Sequence, residues 1–172
     1  MHAGNRSALI MIDSRIAGEK RDAELELFAT LRHLGLAFEV WDVADSFPSA
    51  PAHFADRALY VLGHDGVGKA VPSARARQVA AAVQSGAGFL SLDRRVEEWP
   101  ADLQALAPRI AARWRCQDLR ISEPGHYLSA GHAPGSAWRL WQPVGCACTA
   151  DEDWQAVVAA NGGATVAVRE GG

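Results

Sequence analysis

The chain has 172 residues, of which 49% are hydrophobic and 22% are charged, and its formal net charge is −3. This length fits one domain over residues 1–172, and the composition excludes a disordered or fibrous chain. Lys and Arg are outnumbered and do not cluster, so nucleic acid is not an expected partner. Neither a signal peptide nor an apolar run of roughly 20 residues is found, so we expect a cytoplasmic protein without a membrane partner.

The cysteines are three in number: Cys116, Cys146 and Cys148. In a chain expected to be intracellular, an odd count argues against a disulfide framework. Cys146 and Cys148 are spaced as half of a zinc site, but a second pair of ligands at matching spacing is missing. Small buried residues are therefore the preferred interpretation, and we expect neither a metal nor a cofactor.

Four short apolar runs in the first half of the chain predict strands, over residues 8–12, 37–41, 58–62 and 87–92. A continuous apolar run is typical of a strand covered by helices on both faces. Amphipathic patterns predict helices over 22–34 and 73–84, and Gly35 and Gly86 follow them as stop signals. With a loop over 46–51, the order β-α-β-loop-β-α-β predicts an α/β fold, three-layer α/β/α with a mainly parallel central sheet.

The pattern weakens after the fourth predicted strand. A short helix that breaks near Pro108 is predicted from apolar residues at 103, 106 and 110. Residues 119–121 predict a strand. An apolar stripe behind a capping aspartate predicts a helix over 151–162, and residues 164–168 predict a final strand.

Ligands of open parallel α/β sheets bind beyond the carboxyl ends of the strands, so the residues just after each predicted strand are site candidates. These candidates are Asp13, Gly63, His64, Asp65, Gly66, Asp93, Arg94 and Arg95. His126 could join them from a later loop. Polar residues at strand ends also serve solubility, so the concentration of His, Asp and Arg at one edge is more informative than any single residue.

Residues 63–69 match the GxxxxGK pattern of a phosphate-binding loop and follow a predicted strand. Ala70 stands where Ser or Thr would ligate magnesium, and Pro72 falls where the following helix should be established. A glycine-rich turn that lets the backbone approach a ligand explains the same residues. Nucleotide binding by Gly63 to Lys69 is therefore a third hypothesis.

Asp93 follows the fourth strand, where a nucleophile could sit on a sharp turn. A hydrolase could use Asp93 together with His64 or His126 as acid and base. The adjacent Arg94 and Arg95 favour a structural ion pair or an anion site at least as strongly. No cysteine lies on such a turn, so none is a convincing nucleophile.

The motifs resemble the class I glutamine amidotransferase-like superfamily. The resemblance is carried by the strand over 58–62, the turn Gly63-His64-Asp65-Gly66, and the segment Ser85-Gly86-Ala87-Gly88-Phe89-Leu90-Ser91-Leu92-Asp93. It covers about residues 8–128 and is greatest to noncatalytic-looking branches, such as trehalose-utilisation-type proteins and the related domain of some β-galactosidases. It implies a flavodoxin-like fold in which the glycine turn lines the pocket and the later segment leads into the nucleophile elbow.

The departures from this family concern its catalytic residues. An active amidotransferase resembles G-x-C-x-G at the elbow and has a later His-Pro-Glu, whereas this chain has Leu92-Asp93-Arg94-Arg95 and Gly125-His126-Tyr127-Leu128. Because a thiolate must attack the glutamine amide, glutaminase activity is not expected. The resemblance implies a pseudoenzyme whose pocket binds a small polar or anionic ligand or a partner protein. A homo-oligomer and an origin within a larger protein stay open.

Overall fold

The computed structural model describes residues 7–45, 57–123, 125–126, 129–133, 135–149, 153–160 and 163–169. Its backbone contacts divide the chain, which was expected to be one domain, into two compact units, Met1–Ala107 and Pro108–Gly172. The first unit is α/β, and the second consists of antiparallel strands. Among the described residues, no helix has the length and apolar character needed to cross a bilayer.

The first unit contains a four-stranded parallel sheet with the order β2-β1-β3-β4. Its strands are β1 (Ala8–Ile12), β2 (Phe38–Asp42), β3 (Leu59–Leu62) and β4 (Gly88–Ser91). All four lie within about one residue of their predicted bounds. The central strands β1 and β3 are largely buried and have continuous apolar runs, whereas the edge strands β2 and β4 are partly exposed. The predicted α/β class with a parallel sheet is thus confirmed for this unit, whereas the predicted loop over 46–51 lies outside the described residues.

The two helices predicted from amphipathic patterns, over 22–34 and 73–84, are present in the first unit, together with shorter helical turns. Helix α1 covers residues 19–33 and consists of an α-helical turn (Glu19–Asp22), a π-helical segment (Ala23–Phe28) and a further α-helical turn (Ala29–His33). The others are α2 (Val67–Ala70), α3 (Ser73–Gln84), a 3-10 turn (Val96–Glu98) and α4 (Ala101–Gln104). Gly35 and Gly86 have φ values of 69° and 105°, the left-handed conformation in which glycine ends a helix at low cost.

The sheet has a hydrophobic core on each face, since alternate residues of a strand point to opposite sides. On one face, Ile10, Ile12 and Val61 pack with residues of α1, namely Ala23, Phe28 and Leu31. On the other face, Leu9 and Met11 belong to a cluster that also contains Tyr60, Leu62, Ala76, Val79, Ala80, Trp99 and Leu103. Every residue of β1 is therefore buried.

The second unit is a closed antiparallel sheet with the order β5-β6-β8-β7. Its strands are β5 (Ile110–Ile121), β6 (Ala137–Thr149), β7 (Gln155–Ala160) and β8 (Gly163–Val168). The strands predicted over 119–121 and 164–168 exist, but they belong to this antiparallel sheet. The expectation of one mainly parallel sheet is therefore wrong beyond the first unit.

The helix predicted over 151–162 is wrong where the structure describes it, because β7 occupies residues 155–160. β7 pairs with both β5 and β8, and Val157 in its middle is fully buried. β-Branched valines suit a pleated, paired strand, and cross-strand packing outweighs the helical spacing of the apolar residues.

The expectation against disulfides is also wrong, because Cys116 of β5 is disulfide-bonded. β5 pairs with β6, the strand that carries Cys146 and Cys148. The odd count and the expected compartment could not reveal this pairing of distant segments.

Replacing Ile10 with Ala tests the core of the first unit. Ile10 is fully buried, whereas Val40, its partner in the β1–β2 register, is 42% exposed. We expect Ile10→Ala to lower the free energy of unfolding by about 2–5 kcal/mol because it leaves a cavity. Val40→Ala, the matched control, should cost less than about 1 kcal/mol. Urea denaturation measures both, and equal costs would contradict the placement of this core.

Candidate functional site

Three candidate residues form a row across the carboxyl edge of the parallel sheet. Met11 pairs with Leu62, and Leu62 pairs with Ser91. The residues two positions further along are Asp13, His64 and Asp93, so the three strands end level. The strand order reverses between β1 and β3, which is where sheets of this kind leave a crevice for ligands.

Gly66 is the point where the loops that follow β1, β3 and β4 meet. Its φ is 82°, and a Cβ atom at this position would lie 3.3 Å from Ile16 Cδ1 and 3.8 Å from Arg95 Cζ. Both the left-handed backbone and the close side chains favour glycine here. We call residues 13–16, 63–68 and 93–95 the rim.

The side chain of His64 connects the loop after β1 to the loop after β3. It is 4% exposed, its Nε2 accepts the backbone N–H of Asp13 at 2.7 Å, and its Nδ1 lies 3.0 Å from the carbonyl oxygen of Asp65. An accepting Nε2 assigns the proton to Nδ1, which then donates to that carbonyl. Both ring nitrogens are therefore engaged, and an acid or base role would require one bond to break.

Asp93 links the end of β4 to the loop after β3. Its carboxylate accepts the backbone N–H of Gly68 at 2.7 Å and that of Arg95 at 2.9 Å, and the residue is 4% exposed. Its own N–H donates to Ser91 Oγ at 3.0 Å. Asp93 thus bonds the loop after β3 through Gly68 and its own loop through Arg95, whereas His64 bonds Asp13 and Asp65.

Contacts within the first unit account for the glycine and the lysine of the GxxxxGK match. A Cβ atom on Gly68 would lie only 2.4 Å from Cδ1 of the buried Trp99, and the N–H of Gly68 is donated to Asp93. Nζ of Lys69 lies 3.1 Å from a carboxylate oxygen of Glu98. α2, the helix that follows the turn, has only four residues.

Asp65 pairs with the two arginines that follow Asp93. It accepts the backbone N–H of Arg94 and one guanidinium nitrogen of Arg94, each at 2.9 Å, and Arg95 Nε lies 3.5 Å away. Burial opposes ionisation of Asp65, but the hydrogen bonds and charges of these arginines outweigh it and lower the pKa of this carboxyl.

Asp13 forms a two-pronged ion pair with Arg15, a residue that the sequence analysis did not select. Arg15 Nε and Nη2 donate to the two carboxylate oxygens at 2.8 and 2.7 Å, and the Arg15 backbone N–H donates at 3.0 Å. The side-chain bond from Arg15 is the main reason that the pKa of Asp13 is lowered. The sequence contains a signal for this contact: Arg15 follows Asp13 by two residues, and an Asp side chain often accepts the backbone N–H two residues further on.

His126 belongs to the second unit, whereas all rim residues belong to the first. It is buried, and its carbonyl oxygen accepts the hydroxyl of Ser129 at 2.7 Å. Among the described residues, no group of three or more His, Cys, Asp and Glu could hold a metal ion.

No family model matches this chain, and no curated protein matches it. A solved crystal structure is similar: a chain described as a "Putative thua-like protein" from Bacteroides uniformis ATCC 8492, with a TM-score of 0.63 and 10% identity, covering 92% of this chain and 69% of that chain. At this identity the likeness shows the fold alone. It supports, for the fold, the resemblance to trehalose-utilisation-type proteins.

Replacing Asp93 with Asn tests its role in holding the rim. The amide keeps one acceptor oxygen but loses the charge and the second acceptor, which leaves a buried N–H without its partner. We expect the free energy of unfolding to fall by about 1–3 kcal/mol. Asp45→Asn, at an exposed aspartate, should change it by less than about 0.5 kcal/mol. A loss for Asp93→Asn as small as for this control would show that the two bonds do not stabilise the fold.

The lowered pKa values of Asp13 and Asp65 predict a loss of stability in acid. A carboxyl whose pKa is lower when folded stabilises the protein above its unfolded pKa, about 3.9, and this contribution disappears as pH falls through the folded pKa. Exchanging both Arg15 and Arg94 for Gln should therefore cost stability at pH 7 and progressively less below about pH 3.9. Urea midpoints measured from pH 7 to pH 3 check this, and a difference independent of pH would contradict it.

Proposed function

We propose that the first unit is a class I glutamine amidotransferase-like domain that lacks glutaminase activity and binds a small anionic ligand at the rim. Two findings support the class: the similar fold of the ThuA-like structure and the parallel sheet ending in Gly63-His64-Asp65-Gly66. The proposal includes a flavodoxin-like, three-layer arrangement. The strand order and the hydrophobic cluster on each face of the sheet support that part.

The hydrogen bonding of Asp93 is the observation that argues most directly against glutaminase activity. It stands where the family resemblance puts the nucleophilic cysteine, and both of its carboxylate oxygens accept backbone N–H groups. A nucleophile needs a reactive atom that is free to approach the substrate and a base to activate it. Asp93 instead stabilises the turn, so we assign it a structural role and not a nucleophilic one.

The anionic nature of the ligand follows from the side chains that the rim exposes. Arg15, Arg94 and Arg95 have side-chain exposures of 62%, 67% and 53%, whereas the partner carboxylates of Asp13 and Asp65 are 6% and 16% exposed. A guanidinium has five N–H donors, and Arg94 uses one guanidinium nitrogen for Asp65. The remaining donors can bind a carboxylate or phosphate in the forked geometry that arginine favours.

The alternative functions depend on groups that have other partners. The hydrolase would need Asp93 together with His64 or His126. The hydrogen bonds of Asp93 and His64 hold the rim, so an acid or base role of either would require one of those bonds to break. Nucleotide binding would need free backbone N–H groups in the loop before Lys69, but the N–H of Gly68 is donated to Asp93, and the helix that follows has only four residues. A partner protein with acidic side chains would use the same arginines as a small anion, so it is an outcome that the binding experiment can distinguish.

Thermal shift measurements test the proposal with succinate, citrate and a phosphate monoester, each beside a neutral analogue of similar size. A ligand that binds the native state raises the melting temperature. We expect at least one anion to raise it, its neutral analogue to have no effect, and Arg15→Gln with Arg94→Gln to weaken binding by about tenfold or more. The control is Arg77→Gln, at an exposed arginine of α3, which should bind as the wild type does.

Two results would contradict the proposal. One is an equal effect of the rim exchange and the Arg77 control, which would make the binding nonspecific. The other is release of ammonia from glutamine by the wild-type chain, since the proposed domain has no group to form the acyl intermediate. If no small anion binds but an acidic peptide does, the ligand is a partner protein.

A further inference from the structure

The contact between the loop after β1 and the loop after β3 depends on a neutral imidazole. Nε2 of His64 accepts the backbone N–H of Asp13 at 2.7 Å, and Nδ1 lies 3.0 Å from the carbonyl oxygen of Asp65. An imidazolium ion carries a hydrogen on both ring nitrogens and has no acceptor. Protonation of His64 therefore breaks the bond from Asp13 and leaves a buried N–H facing another donor.

The same bond determines the position of Arg15. The guanidinium and the backbone N–H of Arg15 are both bonded to the side chain of Asp13, so Arg15 moves with the loop after β1. The N–H of Ser14 is donated to Asp42 at 3.0 Å, but that bond is exposed, whereas the bond to His64 is buried. Water competes less for a buried bond, so the bond to His64 is the stronger anchor of this loop.

The charged groups at this edge of the sheet already have partners of their own. These groups are Asp13, Arg15, Asp42, Asp65, Asp93, Arg94 and Arg95. All of the carboxylates accept guanidinium or backbone N–H donors. A protonated His64 would thus have to break a second bond to gain one of these carboxylates as an ion-pair partner.

We propose that His64 is a positioning residue that makes anion binding at the rim depend on pH, an inference that rests on the proposed function. In the closed rim, the neutral imidazole holds the loop after β1 and, with it, Arg15. In the open rim, the bond from Asp13 is broken and His64 takes up a proton. Because the open form binds one more proton, acid favours it. A solvated imidazole titrates near about pH 6.5, well above the carboxyl range near about pH 3.9.

The direction of the effect separates this mechanism from simple electrostatics. An added positive charge at the rim would by itself attract an anion more strongly. Release of Arg15 has the opposite effect, because its guanidinium is no longer preorganised for the ligand. We therefore expect the affinity for an anion to fall on acidification, although the net positive charge of the rim rises.

Isothermal titration calorimetry with sulfate at about pH 8 and about pH 5.5 tests the proposal, since sulfate keeps its double charge while histidine titrates. We expect wild-type affinity to be about fivefold or more weaker at the lower pH. His64→Gln keeps an acceptor oxygen but does not titrate, so its affinities at the two pH values should be equal. His33→Gln, at an exposed histidine of α1, is the matched control and should keep the wild-type pH dependence.

NMR of the wild-type chain makes the test independent of whether a variant folds. We expect the Nδ1–H tautomer of His64 at the higher pH, and a lower hydrogen-exchange protection factor of the Asp13 amide at the lower pH. Equal or tighter sulfate binding at the lower pH, or an unchanged protection factor of Asp13, would overturn the proposal and leave the anion site intact. Absence of binding at the higher pH, by sulfate and by every other anion tested, would contradict the proposed function instead.

Discussion

The rim depends on buried side chains that accept backbone N–H groups, both from a neighbouring loop and within their own. His64 accepts from Asp13, and Asp93 accepts from Gly68 and Arg95. Hydrogen bonds to a charged acceptor contribute about 1.5–3 kcal/mol each, while a buried N–H left without a partner costs about 1–3 kcal/mol. The loops therefore keep their positions only while these side chains stay in place. Gly68 allows this because its missing side chain lets Trp99 pack against the turn.

The same bonds decide what chemistry the site can perform. A histidine and an aspartate that hold the backbone are unsuited to move protons, since each catalytic step would disrupt the loop that they support. The carboxylates of Asp13 and Asp65 instead hold arginines whose guanidinium groups extend into solvent. Buried structural residues thus lie at the carboxyl edge of the sheet, and the arginines left exposed there have the donor geometry that suits recognition of an anion.

The second unit brings distant segments of the chain together by a different rule. In an antiparallel ladder, residues far apart in the chain become neighbours through their register, and alternate residues share a face. This register relates Cys116 to the positions of Cys146 and Cys148. The first unit brings polar residues together because its strands end at the same edge of the sheet, whereas the second brings distant segments together through strand pairing.

The sequence by itself determined the local structure of the first unit. Residues 8–12 and 60–62 are buried, so their hydrophobicity is continuous, and the glycine turn and Asp93 lie at the strand ends where they were predicted. Only the tertiary structure decided which partner each polar group has, because Gly68 meets Asp93 and Trp99 across 25 and 31 residues of chain. It also decided that residues 155–160 form a strand. The helical spacing of their apolar residues is a local signal, whereas burial between β5 and β8 depends on distant parts of the chain. The disulfide of Cys116 is likewise a tertiary contact, which a count of cysteines could not reveal.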